Sequence, residues 1–214
     1  LKGRNVVIKD LGPPFVKPIM SITSNFLFNR SQTSFEDVNV YFHVNQFQDY
    51  IQSLGFNDLR IDSLKIDPHG KNEDNSEFKP AGKNSYILFG IGGVDDAEDA
   101  DVIIHEYTHS ISYAASPETN VGFERRGIDE GFCDYTAASY SKFITNNQWE
   151  KIFNWDGHNE FWKGRLANSN LNYIEVSQGV QDIYNYGSVL CSAVTKLWHN
   201  IDQNEIDKIV FQTL

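Results

Sequence analysis

Cysteine is scarce in this chain of 214 residues, with Cys133 and Cys191 the whole supply. Two are too few to specify a disulfide framework. Both are expected as buried free thiols, with a Cys133–Cys191 bridge the alternative if their helices are neighbours. Positive charge is also short: 18 Lys and Arg stand against 29 Asp and Glu, a formal net charge of −11. No basic cluster offsets that balance, which argues against nucleic acid as a partner. No apolar run approaches the length of a transmembrane helix, so no membrane span is expected. A secretory signal is not visible at the start. The chain begins at Leu1, not Met, as expected of a processed form, which leaves a precursor's signal open. Internal repeats and low-complexity linkers are lacking too.

What is present belongs to a globular protein: 40% hydrophobic and 14% aromatic residues. The length suffices for one large domain or two closely packed lobes.

The organising stretch is His105-Glu106-Tyr107-Thr108-His109. Residues four apart lie one turn above each other on a helix. Two imidazoles so placed can reach one metal ion, as the H-E-x-x-H pattern of a zinc peptidase helix requires. Glu106 can then take a proton from the attacking water without being a ligand. Val102, Ile103, Ile104 and Ile111 predict that this helix is buried. The pentapeptide alone arises by chance in roughly one chain of this length in a hundred.

The second half of the constellation is Gly127-Ile128-Asp129-Glu130-Gly131-Phe132-Cys133-Asp134-Tyr135. Catalytic zinc takes three protein ligands, and Glu130 is the third candidate, on a helix read from Ile128 to about Phe143. Asp134 follows one turn later and can accept the outer N–H of a ligating histidine. A solvated acid near a helix start is the competing reading of Glu130. With its H-E-x-x-H and downstream E-x-x-x-D, the chain resembles the thermolysin-like zinc metallopeptidases, the gluzincins.

Along the chain, Val6–Ile8 reads as a strand, and Asn25–Phe28 as another. Thr33 to Asp37 supplies an N-cap and first-turn acids. The helix it opens carries Val40, Val44, Phe47, Ile51 and Leu54 and ends at Gly55. Weak alternation from Leu59 to Ile66 predicts a strand, and the polar Asp67–Ser76 a loop. Glu77-Phe78 and Ser85–Gly90 read as a hairpin. Trp149–Trp162 reads as aromatic loops with a Trp155-Asp156-Gly157 turn. A helix lies late in Gly179–Trp198, with Val189, Ala193, Val194 and Leu197 on one face. Ile206, Ile209, Val210 and Leu214 fall at helical spacing, in a last helix whose uncapped end leads one to expect more chain beyond it. His43, His69, His158 and His199 lack a partner at ligand spacing, and none is assigned to zinc.

The resemblance implies an α+β, two-lobed thermolysin-like fold: an α/β lobe over 1–112 with a mixed sheet, and a mainly helical lobe over 113–214. It implies a secreted, extracellular or periplasmic zinc peptidase acting on peptide or protein substrates. An edge segment binding the substrate backbone would place Asn75 and Ser76 on the peptide, against an ordinary loop entering a hairpin. Arg165 would bond the substrate carbonyl, against a surface arginine. The family's usual tyrosine and histidine donors have no obvious counterparts. Tyr184 is the candidate oxyanion donor and Tyr186 its rival, against simple packing beside Trp198. Asp101 falls where relatives place a calcium carboxylate, but their later acids lack counterparts and Ser141 stands in one such neighbourhood. Helix capping is the other reading of Asp95, Asp96, Glu98, Asp99 and Asp101. The alternative function is a catalytically silent binding module, from which the intact Glu106 distinguishes the enzyme.

Overall fold

The structure, a computed structural model, describes residues 1–23, 25–60 and 62–214. It is an α+β fold with a four-stranded sheet in the order β1-β2-β4-β3. Strands β1 (Val6–Ile8), β2 (Leu64–Lys71) and β4 (Tyr86–Gly90) run parallel, and β3 (Glu77–Lys79) pairs antiparallel with β4 at the edge. The hairpin at 77–90 is as expected. Residues 25–28 form no strand: they are irregular, and Leu27 is largely exposed.

Strand β2 starts later than expected and runs through residues read as loop, Pro68 and Gly70 included. The register against β4 shifts between Asp67 and Lys71, and an irregularity of this kind accommodates a proline in a strand. The Asp67 carboxylate accepts from the backbone N–H groups of Leu11 (2.7 Å), Gly12 (3.0 Å) and His69 (3.0 Å), meeting donors the sheet leaves over. Ile61, in the strand expected over 59–66, and Ser24 lie outside the described residues.

Helix α1 (Ser34–Ser53) buries Val40, Val44, Phe47 and Ile51, as its spacing predicts, and Gly55 follows its end at φ +107°. Thr33 stands at its start but makes no side-chain cap. Helix α2 (Ala100–Ala115) is capped by Asp99, whose carboxylate accepts from Asp101 N–H at 2.7 Å. Val102, Ile103, Ile104 and Ile111 are all buried. Helix α3 (Phe123–Ile144) begins five residues before the expected Ile128. Strands β5 (Lys151–Ile152) and β6 (Arg165–Leu166) bracket the aromatic loop. Helices α4 (Tyr173–Gln178), α5 (Ile183–Thr195) and α6 (Gln203–Gln212) complete the chain. One hydrophobic core is continuous from Val6 and Val40 through Tyr107 and Tyr135 to Phe211.

Helix α5 packs on a different face from the one its large apolar residues predict. Gly187, Ser188, Cys191, Ser192 and Thr195 are buried, whereas Val189 and Val194 are only partly buried, Ala193 is exposed, and Leu197, in the turn after the helix, is 45% exposed. The cause is the closeness of α3. A Cβ on Gly131 would lie 2.5 Å from the Gly187 carbonyl oxygen, and one on Gly127 2.6 Å from Tyr186 Cβ. Backbones that close admit only small residues between them. In α6, Phe211 and Ile206 take the core while Ile209 stays exposed. Asp207 accepts from the hydroxyls of Tyr50, Tyr135 and Ser139, tying α6 to α1 and α3.

Candidate metal centre in the cleft

Helices α2 and α3 bring His105, His109 and Glu130 together. His105 Nε2 lies 3.2 Å from one Glu130 oxygen and His109 Nε2 lies 3.7 Å from the other. The two imidazoles stand nearly perpendicular, centroids 4.9 Å apart. An acid lies beside each outer nitrogen. His105 Nδ1 is 3.0 Å from Asp134, and His109 Nδ1 is 2.7 Å from Asp129. The His109–Asp129 hydrogen bond puts that ring's proton on Nδ1 and its Nε2 lone pair towards Glu130, whereas His105 Nδ1 lies beside Asp134 without a hydrogen bond. A lone pair facing a carboxylate oxygen is repulsive unless a cation or proton lies between them.

The electrostatics agree. Burial alone would lower the pKa of His105, but hydrogen bonds and charge from Asp134 and Glu130 outweigh it and raise it to about 10. His109 is raised in the same way, against its burial, by Asp129 and Glu130. Burial pushes Glu130 up, yet the two imidazoles hold it down at about 2. The pocket is built for positive charge. Glu106 is buried beside it, and its Oε2 has no hydrogen-bond partner, nor has Glu130 Oε2.

Nitrogen, nitrogen and oxygen donors suit zinc, whose legs of about 2.0–2.2 Å set tetrahedral edges of about 3.3–3.6 Å. His105 Nε2 and His109 Nε2 lie 3.2 and 3.7 Å from the two different oxygens of Glu130, separations of that same size. Cys133 is a second neighbour, its sulfur 3.3 Å from His109 Nδ1, and the three side chains could also hold an ion. That nitrogen already serves Asp129, however. Burial and the surrounding acids push the Cys133 thiol well up, so it stays protonated. Glu130 is the better third donor.

Asp129 escaped the sequence reading because it sits next to Glu130, where one acid was enough for the motif. It is the most connected acid of the site, accepting also from Ser112 and from Asn120 at 2.9 Å, with Arg125 3.5 Å away. Its signal was its place four residues before Cys133, on one face with it.

The centre opens into a cleft of about 1420 Å³, which Asn75, Ser76, Glu106, Arg165 and Tyr184 line. Asn75 and Ser76 lead into edge strand β3, with the Ser76 hydroxyl bonded to Asp96. Arg165 spends its Nε on Asp134, at 2.8 and 3.1 Å from the two oxygens. Its guanidinium stacks over Phe153 and Tyr184, 4.6 and 4.8 Å from the ring centroids. Tyr184 stands in the first turn of α5, with burial raising its pKa. Tyr186 packs instead against Phe123 and Tyr173. Trp198 stacks on Tyr135 and Trp149, away from both.

No family model and no curated protein matches this chain.

Three of the four histidines set aside do other work, and His199 is exposed: His43 bonds Tyr140 at 2.9 Å, His69 faces Glu36 and His158 meets the Ile152 carbonyl. Asp101 is fully occupied by protein donors. It accepts from the Ser141 hydroxyl, Phe153 N–H at 2.9 Å and Asn154 at 3.5 Å. Asp99 accepts from Trp155 and Asp156 N–H at 3.0 and 2.9 Å. These two acids tether the 153–156 loop to the start of α2, which leaves an ion at Asp101 no unshared oxygen. Both cysteines are buried and free. No helix among the described residues is long and apolar enough to cross a membrane.

Proposed function

We propose that this chain is a zinc-dependent peptidase, most simply an endopeptidase, of thermolysin-like fold and mechanism. The observation that carries the reading is that His105 Nε2 and His109 Nε2 both meet the Glu130 carboxylate, at 3.2 and 3.7 Å, with an acid beside each outer histidine nitrogen. Zinc held there would supply Lewis-acid activation of water and of the scissile carbonyl. Glu106, buried at the cleft wall with an unpaired oxygen, takes the proton of the attacking water and returns it to the leaving amine. Edge strand β3, with Asn75 and Ser76 before it, takes the substrate backbone by strand addition. Arg165 and Tyr184 line the same cleft, and as N–H and O–H donors they would stabilise the negative charge that develops on the carbonyl oxygen. A secreted, extracellular or periplasmic location belongs to the same proposal.

The test is metal analysis of the purified chain beside cleavage of a quenched peptide library. One zinc per chain and internal cleavage, both lost in His109→Ala, are expected. Zinc binding with no cleavage would leave a silent binding module, and no zinc binding would overturn the reading.

A further inference from the structure

A second group of acids lies on the same cleft, outside the histidine centre. Asp74, Asp96 and Asp156 each present a carboxylate oxygen within 4.8 Å of the other two. They come from three separate segments: the approach to β3, the turn before α2, and the aromatic loop. Asp96 and Asp156 are each 3% exposed. One oxygen of each is engaged, Asp96 Oδ2 by the Ser76 hydroxyl and Asp156 Oδ2 by Trp162 Nε1 at 2.8 Å. Their other oxygens are buried without a hydrogen-bond partner. No Lys or Arg among the described residues forms an ion pair with any of the three.

The surroundings hold the acids in place. A Cβ on Gly93, at φ +67°, would lie 2.7 Å from an Asp74 oxygen, and one on Gly92 would lie 2.5 Å from the Asp74 nitrogen. Asp74 therefore rests on a glycine bed. Asp156 is fixed by its own N–H on Asp99 and by Asn159 on its carbonyl, at 2.6 Å. Orphaned buried carboxylate oxygens are costly unless a cation or a proton meets them. Burial pushes Asp96 up to about 8 and Asp156 up to about 7, and neighbouring acids raise each further. Near neutral pH the cluster takes either a proton or a cation, and the geometry of three converging carboxylates is what a cation can use.

We propose that Asp74, Asp96 and Asp156 bind a calcium ion at the rim of the cleft. The donors are all hard oxygens, with no nitrogen or sulfur among them, which favours calcium over zinc. The open side beside exposed Asp74 leaves room for the waters that complete six to eight ligands. Calcium there clamps Asn75 and Ser76, the aromatic loop and the start of α2 to one another. Metal binding at this site stands without the peptidase reading.

The experiment is calorimetric titration of the purified chain with calcium, followed by thermal unfolding with and without calcium. One calcium per chain is expected, with a Kd of about 10⁻⁴–10⁻³ M as in exposed calcium modules. Calcium at a hundredfold excess over Kd is expected to raise Tm by about 5–10 °C. Asp96→Asn and Asp156→Asn should each weaken binding at least about tenfold. Asp74→Asn, at an exposed position that does not endanger folding, should do so as well. Terbium bound in place of calcium should luminesce through Trp162, and that signal should fall in the same variants. Glu130→Gln, which strikes the histidine centre, should leave calcium binding intact, so that loss of one site is told from loss of the other. No binding at about 10 mM calcium, or binding unchanged in Asp74→Asn and in the Asp96→Asn/Asp156→Asn double variant, would overturn the proposal.

Discussion

His109 and Asp129 lie 2.7 Å apart on two different helices, mirroring the 3.0 Å contact of His105 with Asp134. Each imidazole thus has a private acid, and the two acids come from α3, the helix that also carries Glu130. If zinc sits at the centre, Asp129→Asn should lower its affinity by about 10–100-fold. Chelator competition measures this directly. Unchanged affinity would reduce Asp129 to a partner of Ser112 and Arg125.

Glu106→Gln should keep zinc and lose peptide hydrolysis by at least about 10²–10⁴-fold, because the amide cannot accept the proton. Stoichiometric metal in an inactive variant is the expected pair of results. Retained turnover would mean that another group is the base.

Tyr184 and Tyr186 separate cleanly, one lining the cleft and the other packed on Phe123. Tyr184→Phe should lower kcat by about 10²–10³-fold with little change in KM, the loss seen when an oxyanion donor is removed. Tyr186→Phe should leave kcat alone. Equal turnover in both variants would exclude a hydroxyl donor from either position.

Gly131→Ala should destabilise the fold by about 1–3 kcal/mol, since its methyl would meet the Gly187 carbonyl at 2.5 Å. Urea unfolding of the variant measures the loss. Gly55, with nothing within 4 Å of a Cβ there, is the contrasting site. Its cost comes from the +107° φ alone, about 1 kcal/mol.

Burial lowers His43 to about 4, so the folded protein holds it neutral. The unfolded chain, with an ordinary value near 6.5, takes up a proton first as pH falls. Stability from this group is complete above pH 6.5 and is lost as pH drops towards 4, by about 3 kcal/mol at most. Buried Asp96 and Asp156 work in the opposite direction, because their raised values favour the folded protein in acid. The comparison of wild type with His43→Gln isolates the histidine: the variant's stability should decline less between pH 6.5 and 4. Parallel curves would show that the histidine ring finds water in the folded state.

How far the sequence could be read depended on the range of the forces involved. Helix α1 was legible because Val40, Val44, Phe47 and Ile51 repeat at the helical period and all reach one core. His105, His109, Glu130 and Asp134 were legible because helix geometry alone aligns each pair four residues apart. Strand β2 was misread because Pro68 and Gly70 are loop residues by local preference, and the sheet overrides that preference through the Asp67 bonds. The packing face of α5 was misread because close backbone approach rewards small residues over large apolar ones. The acids at 74, 96 and 156 carry no shared spacing at all; only the folded chain assembles them.

The seam at Gly131 and Gly187 has a consequence for variation. Side chains can slide past one another, but two backbones in contact have no slack, so the separation of Glu130 and Tyr184 acts as a fixed gauge between α3 and α5. Val121 and Leu171 also line the cleft, stand off that seam, and are 74% and 37% exposed. A library randomised at those two positions should therefore alter what the cleft accepts while the gauge across the seam stays untouched.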